Sequence, residues 1–264
     1  MKSATPPRSH IAAWQLAEIN MSAKRKAEGD DQEHGDADEP SSPKRLSARP
    51  ARSRDEYHNT QAGFVHYPPS KVYRLIEPGP VLLVTTGSLA DSTHNIMTIG
   101  FHMVMQHESP PLIGIILGPW DASFETLKER KECVLAVPDV EMAEVVVDVG
   151  NCSSTDDDYH GADRDVCWKW EHFGLEPLQA ARVKAPLVGG PSVIANIECV
   201  VEDTQMVTKY SMWVLRPVKA WINPKKRPGE EGKMFHHRGN GTFVVDGDIV
   251  DLQERMVKWQ EYQH

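Results

Sequence analysis

Over the last three-quarters of the chain the apolar positions fall into short runs separated by turn residues. Pro80–Thr86 (PVLLVTT) is a β-rich run closed by Gly87-Ser88, which predicts a strand. Ile96–Met105 predicts a second strand, and Leu112–Leu117 (LIGIIL), entered through Pro110-Pro111, a third. Cys133–Val137, Ala195–Val201 (ANIECVV) and Tyr210–Ile222 predict three more, the last two joined by Glu202-Asp203-Thr204-Gln205. Two stretches read as helical. Asp121-Ala122-Ser123 offers caps ahead of Phe124, Leu127 and Lys128, and Val140–Val149 follows Pro138-Asp139. Residues 150–165 read as a Gly-, Asp- and Ser-rich loop, and Lys225–Gly232 as a charged surface loop. Short strands with few helices predict a β-barrel or sandwich with helical decoration. No repeat of solenoid period is present.

Residues 1–60 break this pattern. They are rich in Ser, Pro and charged residues, with one aromatic (Trp14) before Tyr57, a composition that predicts a disordered tail. Ile11, Trp14, Leu16 and Ile19 predict a short amphipathic turn within it. Lys24-Arg25-Lys26 and Lys44-Arg45 flank the acidic run Asp30–Glu39; nuclear import machinery reads clusters of this kind, and a solvated polyampholyte presents them equally well. The folded part is expected to begin near Tyr67, with the domain taken as residues 61–264.

Charge sharpens the division. The whole chain has 264 residues and a formal net charge of -9. The first 60 residues carry ten basic and ten acidic side chains, so the excess acid lies entirely in the remainder. An acidic domain opposes nucleic-acid binding, which depends on neutralising phosphates with Lys and Arg. No apolar run approaches the ~20 residues of a membrane-spanning helix, and no secretory signal is expected at the N-terminus. Cys133, Cys152, Cys167 and Cys199 form no C-x-x-C pair and read as free thiols of a reducing compartment, with cytoplasmic residence expected.

The motifs of several catalytic classes are absent. There is no G-x-S-x-G elbow, no phosphate loop with G-K-[ST] and no G-x-G-x-x-G turn. His236-His237 point to opposite faces if they lie on a strand, which argues against a shared metal. Asp156-Asp157-Asp158 reads as a solvated loop, and no metal site is expected. Two segments carry more promise. Asn95-Ile96-Met97-Thr98-Ile99-Gly100 follows a strand and a loop. Gly118-Pro119-Trp120-Asp121-Ala122-Ser123 runs from a strand end into a helix N-terminus, whose unpaired N–H donors can hold an anion. Ser123 as a plain N-cap explains the second segment equally well.

The order PVLLVTT, HNIMTIGF, HESPPLIGIILGPWDASFETLKE and ECVLAVPDVEMAEVVVDVG resembles the flavin reductase-like family, in its flavoredoxin-type branch. Asp163-Arg164-Asp165-Val166, Glu171-His172-Phe173-Gly174-Leu175, Val183-Lys184-Ala185-Pro186-Leu187 and Ala195-Asn196-Ile197-Glu198-Cys199 extend the likeness over about residues 65–250. The resemblance implies a mainly β fold with helical additions: a six-stranded FMN-binding split β-barrel, preceded here by the disordered tail. It implies a homodimer with FMN near the subunit interface. It also implies that Asn95, Ile96, Met97 and Thr98 lie along the flavin ring, and that Gly118, Trp120 and Ser123 support the ribityl phosphate. In such a protein NAD(P)H delivers hydride to the flavin, and a monooxygenase or other acceptor takes the electrons on. No side chain is assigned to catalysis, and His236 and His237 stand as candidates for the nicotinamide or substrate side. The 150–163 stretch is longer than the family pattern, and Gly189-Gly190-Pro191 replaces its acidic-Cys-Pro segment, so both can reshape the substrate mouth. An FMN electron carrier, a flavin enzyme acting directly on a small metabolite, and a non-enzymatic interaction module remain as alternatives.

Overall fold

The computed structural model describes residues 79–154, 165–228, 230–239, 241–250 and 252. The tail over 1–60, the expected start near Tyr67 and the Asp156–Asp158 run lie outside the described residues. The principal sheet is built from β1 (Leu82–Thr86), β2 (Asn95–Ile99), β3 (His102–Gln106), β4 (Leu112–Ile116), β5 (Glu132–Pro138), β8 (Val193–Asp203) and β9 (Met212–Ile222). Its order is β2-β1-β5-β8-β9-β4-β3, antiparallel throughout.

That order forces the sheet to curl. β2 and β3 occupy opposite edges, yet only Gly100 and Phe101 separate them in the chain. Six strand spacings would put the edges of a flat sheet about 29 Å apart. Three Cα–Cα steps reach about 11 Å. The sheet therefore rolls until the end of β2 and the start of β3 lie within that reach, and the Ile116 amide of β4 donates to the Phe101 carbonyl (3.0 Å), extending the β3–β4 ladder up to the crossing. The result is a mainly β half-barrel. Taken as one ribbon broken at Gly100-Phe101, β2 and β3 reduce the seven strands to six.

The interior is filled by Leu82, Val84, Ile99, Ile115, Cys133, Leu135, Cys199, Trp213 and Leu215. Helix α1 (Ser123–Arg130) inserts Phe124 and Leu127 into the same cluster, and the Trp213 indole N–H donates to the Leu117 carbonyl (2.8 Å). On the outer face, Leu83, Ile96 and Ala136 pack against Val146 and Val149 of α2 (Ala143–Asn151), Trp170 of α3 (Trp168–His172) and Phe235 of β10 (Phe235–His237). β10 pairs with β11 (Phe243–Val245). Ala180, Val183, Ala185 and Leu187 cover Val134 of β5. β1 and β5 are thus buried on both faces, which is why PVLLVTT and ECVLAVP run apolar without alternating.

Polar side chains hold the last covering segment to β8. Glu198 accepts hydrogen bonds from the backbone amides of Ala181, Arg182 and Val183, and Asn196 exchanges two with the backbone of Val188. Val188 lies in the short β7 (Leu187–Val188), which pairs with β6 (Pro177–Leu178).

Several expected boundaries move. The single strand expected over Ile96–Met105 breaks at Gly100-Phe101, where the chain crosses between the sheet's two edges. The strand expected from Tyr210 begins at Met212, because Val207–Tyr210 forms the short helix α4, ended by Ser211 in the left-handed region (φ 55°). The helix expected over Val140–Val149 opens with a 3-10 turn at Val140–Met142, and α2 continues to Asn151. The described residues of Lys225–Gly232 are mostly exposed, as expected of a surface loop, and Lys226 Nζ pairs with Glu141 (2.8 Å) and Asp139 (3.5 Å).

Candidate functional site

β1 and β2 end together, with Thr86 opposite Asn95, and α1 starts beside that end of the barrel. Asn95 is 5% exposed, and its Nδ2 donates to the Ser123 hydroxyl at 3.0 Å. Asn95 Oδ1 and Thr86 Oγ1 are buried with no hydrogen-bond partner among the described residues. Buried polar atoms are rarely left unpaired in folded proteins, because an unmet donor or acceptor costs ~1–3 kcal/mol. Two of them fall here on opposed residues, next to a helix N-terminus.

The turn before α1 has its own logic. The Gly118 amide donates to Asp121 Oδ2 (2.8 Å), and a Cβ on Gly118 would sit 2.2 Å from the Trp120 ring. Glycine thus lets the indole lie against the backbone, with 42% of Trp120 exposed. Burial pushes the Asp121 carboxyl up from its usual range, against the pull of the Gly118 amide and the Lys169 ammonium. Neither Asp121 nor Ser123 caps the helix: the cap residue is Ala122, and Ser123 is turned toward Asn95.

Period-two alternation divides the other expected residues. Asn95 and Met97 share the inner face of β2, where Met97 packs against the interior cluster. Ile96 belongs to the outer cluster, and the Thr98 hydroxyl donates to the Val146 carbonyl of α2 at 2.6 Å. The structure therefore brings Asn95, Ser123, Gly118 and Trp120 to one barrel end, while Ile96 and Thr98 turn their side chains toward α2. His236 and His237 sit elsewhere. The Val81 amide donates to the Phe235 carbonyl, which puts β10 at the opposite end of β1 from Thr86, and His236 Nε2 bonds Asp246 at 3.0 Å.

Three residues at this site escaped sequence reading. Lys169 is 2% exposed and donates to the carbonyls of Ile96 (3.2 Å) and Cys152, tying α3 to β2 and to the end of α2. His94 and Trp170 lie beside β2 with ring centroids 5.5 Å apart. Burial lowers the His94 pKa from its ordinary value, partly offset by a hydrogen bond to the Ser88 backbone, so its ring is neutral at pH 7. The run WKWEH alternates two tryptophans with charged residues, and only its packing against β2 shows that Lys169 is buried along with them.

A family model described as the flavin reductase like domain matches residues 73–242, and the chain belongs to that family, whose members are flavin-dependent oxidoreductases. The uncharacterized protein YddH of Escherichia coli K12 is 25% identical over 189 residues, spanning 67% of this chain and 92% of YddH. Among solved structures, an FMN-binding domain of a flavin reductases-like enzyme from Shewanella baltica superposes with a TM-score of 0.55 at 21% identity, covering 70% of this chain and 95% of that one. Flavoredoxin of Desulfovibrio vulgaris (Miyazaki F) gives 0.52 at 20% identity, over 66% and 90% respectively. These likenesses carry the fold.

The residues fit a flavin mononucleotide. Such a ligand presents carbonyls and one N–H on its ring, hydroxyls on its ribityl chain and a terminal phosphate. The unmet atoms Asn95 Oδ1, Thr86 Oγ1, His94 Nδ1 and Trp170 Nε1 supply both acceptors and donors for groups of that mixed kind.

Proposed function

We propose that the chain is an FMN-dependent oxidoreductase of the flavin reductase type, taking hydride from NAD(P)H and passing electrons to an acceptor such as a monooxygenase. One observation carries this reading beyond family membership: within the matched segment, buried and unpartnered polar atoms gather where β1 and β2 end beside the start of α1. Asn95, Ile96, Met97 and Thr98 line the flavin ring, Ile96 and Thr98 through their backbone, since their side chains face α2. Gly118, Trp120 and Ser123 hold the phosphate end. Bound FMN supplies the hydride-accepting and electron-transferring chemistry. The protein orients the ring, excludes water and offers hydrogen bonds to its polar edge. Two copies of the chain pair through the open rim of the barrel, where β3 exposes Met103, Val104 and Met105 beside Phe101 on a sheet edge, a surface that natural proteins seldom leave bare.

The test is a visible spectrum of the purified chain with added FMN, followed by anaerobic NADH or NADPH. The expected result is a bound-flavin spectrum that one nucleotide bleaches. Bound flavin that neither nucleotide bleaches overturns the NAD(P)H reading, and a chain that binds no FMN overturns the cofactor as well.

A further inference from the structure

His94 and Trp170 are 7% and 3% exposed, and their rings lie 5.5 Å apart at 58°. His94 Nδ1 and Trp170 Nε1 are both buried, and neither has a hydrogen-bond partner among the described residues. The indole can only donate; with the imidazole proton on Nε2, toward the Ser88 backbone, the neutral ring offers Nδ1 as an acceptor. One atom that satisfies both must accept and donate at once. A flavin carbonyl only accepts, the ring N–H only donates, and a fully ionised phosphate only accepts. A hydroxyl does both. His94 also precedes Asn95 directly, so the pair adjoins the segment assigned to the flavin. We propose that Trp170 Nε1 and His94 Nδ1 together bind a hydroxyl of the flavin's ribityl chain, the indole donating to it and the imidazole accepting from it. This inference rests on the flavin reading above and assigns two residues that set which flavins the site prefers.

The test titrates FMN, riboflavin and lumiflavin into the full chain by flavin fluorescence. Riboflavin keeps the ribityl hydroxyls without the phosphate; lumiflavin has a methyl group in place of both. Trp170→Phe and His94→Leu should each weaken FMN and riboflavin about tenfold while leaving lumiflavin within about twofold, as expected for loss of one buried hydrogen bond. His94→Asn, whose Oδ1 can restore an acceptor near the lost Nδ1, should recover most of the loss. If Trp170→Phe does not fold, the two His94 variants decide the matter alone. Equal loss for all three flavins, loss for FMN without riboflavin, or no loss at all overturns the proposal; the last result leaves the pair holding an ordered water only. Lumiflavin and FMN binding to the wild-type chain, with His94 and Trp170 silent, overturns the hydroxyl site while sparing the flavin reading. A wild-type chain that binds none of the three removes both.

Discussion

Glu198 gives the sharpest test of how this fold is held together. Its carboxylate lies on the outer face of β8, fully buried, and accepts four hydrogen bonds. Oε1 takes the Ala181 amide (3.0 Å) and the Trp221 indole N–H (2.7 Å). Oε2 takes the amides of Arg182 and Val183. Glu198→Gln replaces one oxygen with an NH2 group, and either orientation of the amide sets that donor against two N–H donors. Half the bonds are lost, the remainder lose their charge, and at least one backbone amide is left unmet. At ~1.5–3 kcal/mol for a hydrogen bond to a charged group, with non-additivity limiting the sum, the expected loss is about 2–4 kcal/mol. That is a large part of the ~5–15 kcal/mol that keeps a domain folded. Urea unfolding at pH 7 measures it. Burial alone would raise the Glu198 pKa, but the Trp221 indole and the three amides outweigh it and hold the carboxyl below its ordinary 4.5. The carboxylate's stabilisation is therefore complete above the unfolded pKa and disappears as pH falls through the lower folded value. The gap between wild type and Glu198→Gln should accordingly narrow below about pH 4.5. A Gln variant within ~0.5 kcal/mol of wild type at pH 7 would refute the argument, since that is the range of an inconsequential surface change.

Other expectations follow from local geometry. Gly118→Ala should weaken FMN binding in the fluorescence titration with little effect on melting temperature, because the new Cβ lies 2.2 Å from Trp120 and the half-exposed indole can swing away; unchanged affinity would detach Trp120 from the site. Gly87→Ala should cost more than ~2 kcal/mol in thermal unfolding, since φ is +85° and the Cβ would fall 2.1 Å from the Thr93 carbonyl oxygen. A loss below ~1 kcal/mol would mean that the 88–94 turn rebuilds easily. Burial pushes the Cys199 thiol up to about 12 and Cys133 well above its ordinary range, so both should resist Ellman's reagent at pH 8 until the chain unfolds, while half-buried Cys152 and Cys167 react first. Labelling of all four thiols in the native chain would contradict a closed barrel interior.

Much of the fold was legible because the barrel's strands are short and bounded by Gly and Pro, and because doubly buried strands write themselves as unbroken apolar runs. PVLLVTT and ECVLAVP carried that signal. The elements that escaped reading are those whose conformation depends on partners distant in sequence. β10 and β11 are only three residues each and exist by pairing with each other. β6 and β7 have two residues each, and β7 is fixed by Asn196 through hydrogen bonds that no local pattern encodes. The break at Gly100-Phe101 follows from closure of the sheet, a property of the whole strand order rather than of the residues at the break.

The candidate site divides along the same line. Asn95 and Ser123 lie 28 residues apart in the chain, and the sequence offered each as a member of its own segment, without the bond that joins them. Strand alternation then limits what contiguity in sequence can mean: Asn95-Ile96-Met97-Thr98 reads as one unit, yet its side chains serve two faces separated by the sheet. On the outer face the chemistry is completed by α3, which carries Lys169 to the Ile96 carbonyl and Trp170 to His94. None of these residues announces itself in isolation, since a Lys most often serves the surface and a core Trp carries no sign of what its indole N–H will meet. Their burial beside β2 changes their meaning, because polar groups withdrawn from water must find partners: Lys169 Nζ finds two carbonyls, whereas His94 Nδ1 and Trp170 Nε1 find none among the described residues.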